Sequence, residues 1–171
     1  MRISTRWMAA AAVGVALVTG TTSYADDTGA ASPTPTPTPT AAPAPGYSAT
    51  GTWQLLALVN KHRRAMGMPA LVVDDRLAAI ARKHTESMAA SGVLRHNDAL
   101  FTSASHKALG MKAFGENVGW NYSVTAQDTA FLNSPHHRAN IETRSFRVAG
   151  FAVVRGTDGR IWSTEDFGTP S

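Results

Sequence analysis

Nothing in this chain can be stapled. None of its 171 residues is cysteine, so no disulfide, thiolate nucleophile or cysteine-held metal is available, and whatever folds must rest on its own apolar core. The constraint bears hard because the chain opens like an exported one. Arg2 and Arg6 flank the start of an apolar run over residues 7–18, which is too short to cross a bilayer, and Ser23-Tyr24-Ala25 offers a small-x-small cleavage site before Asp26. Residues 1–25 therefore read as a signal peptide. A lipid-modified terminus needs a cysteine there, and no later stretch is apolar enough for a membrane span. The expectation is a secreted, extracellular protein in the style of a bacterial export.

Residues 26–51 read as a linker. From residue 28 to residue 50 there is no charge and little apolar bulk, and residues 33–40 alternate strictly between proline and threonine. Such a segment cannot bury enough surface to fold, and repeated proline favours extended polyproline II. The folded domain is placed at residues 52–171. Its charge argues for no particular partner: the whole chain carries +4, and removing Arg2 and Arg6 with the signal leaves +2. The basic residues are scattered, without the clustered Lys/Arg of a nucleic-acid groove, so nucleic acid is set aside.

Within the domain, Thr52 reads as an N-cap for a helix over residues 53–66, with Leu55, Leu56, Val59 and Met66 at helical spacing. Asp74 and Asp75 cap a second helix whose buried stripe runs Leu77, Ile80, Ala81, His84, Met88 and which stops before Gly92. His84 on that stripe reads as a hydrogen-bonded core residue. A third helical segment spans residues 98–109 and carries His106 on its polar face. Phe114-Gly115-Glu116-Asn117-Val118-Gly119-Trp120 reads as a strand entering a cleft, where Gly115 lets the backbone approach closely and turns Glu116 inward. Ser123 caps a helix running to residue 133. Residues 146–154 and 160–167 read as an antiparallel hairpin turned by Asp158-Gly159, and the Glu116 strand extends it. The fold class is α+β, with helices on both faces of a small sheet.

The polar chemistry gathers at Ser134-Pro135-His136-His137-Arg138-Ala139-Asn140-Ile141. Ser134 and Pro135 read as an N-cap and first helical residue, which places the imidazoles in the first turn, where the helix dipole favours the neutral form. His96, Glu116, His137 and Glu165 then arrive from four separate elements. Two imidazoles and a carboxylate are the donor types of an open zinc site, although no His-Glu-x-x-His pair fixes the geometry. Glu165 shares a strand face with Ser163 and Phe167, and the sequence leaves open which face that is. A metal-free hydrogen-bonded cluster uses the same residues equally well.

Six motifs in order resemble a known family: residues 81–88, Leu94-Arg95-His96, Gly115-Glu116-Asn117-Val118, residues 134–141, Val148-Ala149-Gly150-Phe151 and Glu165-Asp166-Phe167-Gly168. Together they resemble bacterial secreted, SCP-like members of the CAP superfamily of cysteine-rich secretory, antigen 5 and pathogenesis-related 1 proteins. The resemblance covers residues 52–168. It implies a three-layer α-β-α sandwich with a central cavity of two histidines and two glutamates, the histidines holding zinc in some members. His96, Glu116 and His137 match three of those positions, His136 stands where many bacterial members have glycine, and Ser134 stands where the second glutamate belongs.

Two functions follow as expectations. One is a non-enzymatic extracellular binding module whose cleft takes a lipid, a cell-wall glycan or a peptide, with His96, Glu116, His137, Ser134 and Glu165 forming a cavity cluster. The other is a zinc-assisted hydrolase of peptide or ester bonds, with Zn²⁺ on His96 and His137 and Glu116 as general base. No Gly-x-Ser-x-Gly motif supports a covalent mechanism. Arg138 and Asn140 are read as ties between loops.

Overall fold

The computed structural model describes residues 44–171; the expected signal peptide and most of the expected linker lie outside the described residues. The chain is already folded before residue 52. Strand β1 (Gly46–Tyr47) is followed by helix α1 (Ala49–Ala65), capped by Ser48, whose Oγ accepts from the Gly51 amide at 3.1 Å. Thr52 is therefore not the cap. It lies in the first turn of α1, buried, and its Oγ1 accepts from the Val153 amide at 3.0 Å. The linker-like composition of Ala49-Thr50-Gly51 hid the helix start, but Gly51 has a packing reason: a Cβ there would sit 3.2 Å from Val153 Cγ1.

Strand β2 (Val72–Val73) leads to helix α2 (Asp75–Ser91), where Asp74 Oδ1 accepts from the Arg76 and Leu77 amides and Gly92 ends the helix at φ 67°. The helix expected over residues 98–109 is broken in two. A 3₁₀ turn (Asp98–Phe101) gives way at extended Thr102 to helix α3 (Ser103–Leu109), because the Thr102 hydroxyl caps the new helix through the Ser105 amide. Strand β3 (Met111–Asn121), helices α4 (Val124–Asn133) and α5 (Pro135–Ile141), and strands β4 (Val148–Arg155) and β5 (Ile161–Pro170) complete the domain.

The sheet runs β1-β4-β5-β3, antiparallel throughout, with β2 added in parallel on β4. Period-two alternation sorts its two faces. Phe146, Phe151 and Phe167 join Leu55, Val59, Phe131 and Ile141 in the core under α1, α4 and α5. Phe114, Val118 and Trp162 join Leu77, Leu100 and Met88 under α2 and the 3₁₀ turn. The result is the expected three-layer α-β-α sandwich. Helix α2 lies so close to β4 that a Cβ on Gly150 would come within 2.0 Å of the Leu77 carbonyl carbon.

Candidate functional site

Strand β3 puts Glu116 and Asn117 side by side, and adjacent strand residues point to opposite faces. Glu116 points to the α2 face between Phe114 and Val118, whereas Asn117 points to the α4/α5 face between Gly115 and Gly119. The pleat therefore divides the polar residues into two groups, with the sheet standing between them.

On the α2 face, Glu116 is wholly buried, and its Oε1 accepts from His96 Nδ1 at 2.7 Å and from the Asn97 amide at 2.9 Å. His84 Nε2 lies 2.7 Å from the Arg95 carbonyl, so the expected core histidine ties the same loop from the helix side. Across the strand pair Glu116 faces Asp166, also wholly buried. Burial, and then the charge and hydrogen bond of Glu116, hold the Asp166 carboxyl well above the usual carboxylate range. Burial beside Glu116 thus favours the neutral form of Asp166. The sequence reading missed Asp166, since only the strand register brings it to Glu116.

On the opposite face, Asn117 Nδ2 donates to Glu165 Oε2 at 2.8 Å and to the His137 carbonyl at 3.1 Å. Asn140 Nδ2 donates to Asn117 Oδ1 at 2.9 Å and to the Glu116 carbonyl at 3.1 Å. Asn140 thus ties α5 to β3, as expected, whereas Arg138 is exposed. The His137 ring is buried and lies 4.8 Å from the Phe131 ring. Glu165 is fully buried, and burial pushes its pKa from the ordinary 4.5 up to about 8, the Asn117 hydrogen bond opposing and the nearby Asp128 carboxylate adding to the rise. Ser134 is half-buried at the junction of α4 and α5. It occupies the N-cap position before Pro135, but its side chain makes no capping hydrogen bond.

Of the residues expected in the cavity cluster, His96, Glu116, His137 and Glu165 are buried and Ser134 is half-buried. Glu116 holds the His96 ring, and Asn117 holds Glu165 together with the His137 backbone carbonyl; the Ser134 side chain makes no capping hydrogen bond. Among the described residues no three histidine, aspartate or glutamate side chains are grouped so as to hold a metal ion, and the His96 nitrogen facing Glu116 is engaged by it.

A second overlooked residue is Arg63 in α1, fully buried and donating to four carbonyls: Pro69 at 3.0 Å, Ile141 at 2.7 Å, Thr143 at 3.1 Å and Phe146 at 3.0 Å. It gathers the segment after α5 against α1. The helical pattern alone gave no reason to separate it from the neighbouring basic residues.

Open space lies beside the α2-face group. A cleft of about 340 Å³ is lined by Ile80, Lys83, His84 and Ser87 of α2 and by Asn97, Ala99, Leu100 and Ser105 of the loop, 3₁₀ turn and α3. Asn97 belongs to both, with its amide on Glu116 and its residue at the cleft wall.

Comparisons with known proteins agree with this architecture. A family model for the cysteine-rich secretory protein (CAP) family matches residues 56–167. The uncharacterized protein YkwD of Bacillus subtilis (strain 168) is 27% identical over 120 residues, covering 67% of this chain and 46% of that protein. This chain therefore spans less than half of that relative. Among solved structures, an outer surface protein from Borrelia burgdorferi superposes with a TM-score of 0.64 at 19% identity, covering 74% of this chain and 98% of that one. An extracellular protein containing an SCP domain from Bacillus anthracis gives 0.57 at 24% identity, covering 69% and 40%. With the family model matched over most of the folded domain, the chain belongs to the cysteine-rich secretory protein (CAP) family.

Proposed function

We propose that this protein is a secreted, extracellular, non-enzymatic binding module whose ligand, a lipid, glycan or peptide, sits in the cleft between α2 and the 3₁₀ turn. The observation that carries this reading is the state of Glu116. The carboxylate is wholly buried and its Oε1 is committed to His96 and the Asn97 amide, so it serves to hold a cleft-wall loop in place and has no access to a substrate proton. Extracellular and outer-surface relatives support the location. Among the described residues no helix is long and apolar enough to cross a membrane. The hydrolase alternative needs Glu116 available as a general base, a role that its hydrogen bonds to His96 and the Asn97 amide disfavour.

The test is chemical-shift mapping of the ¹⁵N-labelled chain against a fatty acid, a wall-glycan fragment and a short peptide. Shifts concentrated at Lys83, Ser87, Asn97 and Ser105, and abolished by Ala99→Trp, are expected for one of the three. Turnover of peptide or ester substrates that disappears in Glu116→Gln would overturn the reading.

A further inference from the structure

At the end of the sheet remote from Gly168, two aromatic side chains on the α2 face are left partly or largely exposed, Trp120 packing its inner side against the Met88–Val118–Trp162 cluster. Trp120 is half-buried, Tyr122 is 69% exposed, and their rings meet edge to face with centroids 6.3 Å apart. The Arg160 guanidinium lies 4.5 Å from the Trp120 centroid and 5.0 Å from that of Trp162, and is braced by Asp158 at 2.6 Å. The cation and its carboxylate hold the Trp120 ring in one orientation. The outcome is a preformed ledge of aromatic surface edged with N–H and O–H donors, whose outer side the domain leaves open to solvent.

The strand register says what lies near it. Gly46, Arg155, Ile161 and Asn121 form one row across β1, β4, β5 and β3. Since β1 runs antiparallel to β4 and Gly46 faces the last residue of β4, the chain N-terminal to Gly46 leaves the sheet at the end where β3 delivers Tyr122. Three strand spacings of about 4.8 Å separate Gly46 from Asn121, about 14 Å in all. Thr40 precedes Gly46 by six residues, a reach of about 19 Å at the polyproline rise of about 3.1 Å per residue.

We propose that the Trp120–Tyr122–Arg160 ledge binds the chain's own proline-threonine tract, residues 33–40. The chemistry matches on three counts. Pyrrolidine rings pack on aromatic faces, as in the general recognition of proline-rich segments. A polyproline II segment makes no internal hydrogen bonds, so its carbonyls are free to accept from the Trp120 indole, the Tyr122 hydroxyl and Arg160. The tract holds only proline and threonine, so it carries no charge to compete for the Arg160–Asp158 pair. Attachment to the same chain supplies an effective concentration of order millimolar, enough for a contact that would be weak between separate molecules.

The absence of cysteine makes the test clean. A nitroxide is placed at Thr38→Cys in the full chain, and paramagnetic broadening is read at the Trp120 indole, the Tyr122 amide and, as reference, the indole of Trp53, which is 61% exposed on α1 under the opposite face. Strong broadening at Trp120 and Tyr122 with a sharp Trp53 is expected. It should fall to the Trp53 level in Tyr122→Ala, and also when Pro33, Pro35, Pro37 and Pro39 are replaced by alanine, a change remote from the folded domain. Equal broadening at Trp53 and Trp120, none at Trp120, or broadening passed to unlabelled partner chains in a mixed sample would overturn the proposal.

Discussion

The two faces of the sheet solve the same problem in different ways. Each buries a carboxyl from β5 against a polar residue from β3, but on the α4/α5 face the partner is an amide and on the α2 face it is another carboxyl. Asn117 can donate and accept at once, so it links Glu165, the His137 carbonyl and Asn140 into a network that fastens a helix to the sheet. On the α2 face burial and the neighbouring Glu116 raise the Asp166 carboxyl above the usual carboxylate range, and Glu116 Oε1 accepts from His96 and so is turned to the loop that carries it. The amide network builds rigidity, whereas the acid pair builds an anchor for a cleft wall.

The largest effect should follow from breaking the amide network. Asn117→Ala removes the donor to Glu165 and to the His137 carbonyl and the acceptor of Asn140, and is expected to cost about 3–4 kcal/mol in urea unfolding. Glu116→Ala removes the acceptor of His96 Nδ1 and of the Asn97 amide and should cost roughly 1–3 kcal/mol. Its distinguishing sign is faster hydrogen exchange in residues 93–98 with α5 unchanged; matched exchange in both would erase the difference between the faces.

Glu165 separates the two by pH. Its folded pKa of about 8 exceeds the ordinary 4.5, so the native state holds a proton that the unfolded chain releases. The associated stability is fully present below pH 4.5 and is lost as pH rises to 8, at up to about 1.4 kcal/mol per pH unit. Glu165→Gln, which keeps an acceptor for Asn117, should flatten that part of the profile and stabilise the protein at pH 8. A profile unchanged by the substitution would place a charged Glu165 in the fold. The smallest effect belongs to Ser134→Ala. The Ser134 side chain makes no capping bond, so a change within about 0.5 kcal/mol is expected, and a loss above about 1 kcal/mol, typical of a working cap, would restore Ser134 to the polar site.

Most of the architecture was legible because it rests on local signals. Asp74 and Gly92 bracket α2, Asp158-Gly159 turns the hairpin, and the alternation of β5 separates Glu165 from Asp166. The start of α1 was not, because Ser48 and Thr52 are both good caps and only the pairing of β1 with β4 decides between them. The site was half legible for a related reason. Residue types in separate elements identified Glu116, His96, His137 and Glu165 as inward-facing, but which face each occupies depends on the absolute orientation of the sheet, which period-two alternation leaves undetermined. Asp166 and Arg63 act through non-local partners, a register pair and four carbonyls from the chain around α5 and the α1–β2 connection, and such contacts leave no mark in the sequence near them.

The central claim is that the buried polar residues around Glu116 hold a cleft wall and do not form a metal centre. Its most direct test is Zn²⁺ titration by calorimetry of the full chain beside a His96→Ala/His137→Ala variant. The account predicts no one-to-one binding that the variant loses; submicromolar binding in the parent, abolished in the variant, would put both imidazoles on one ion and contradict the structural role.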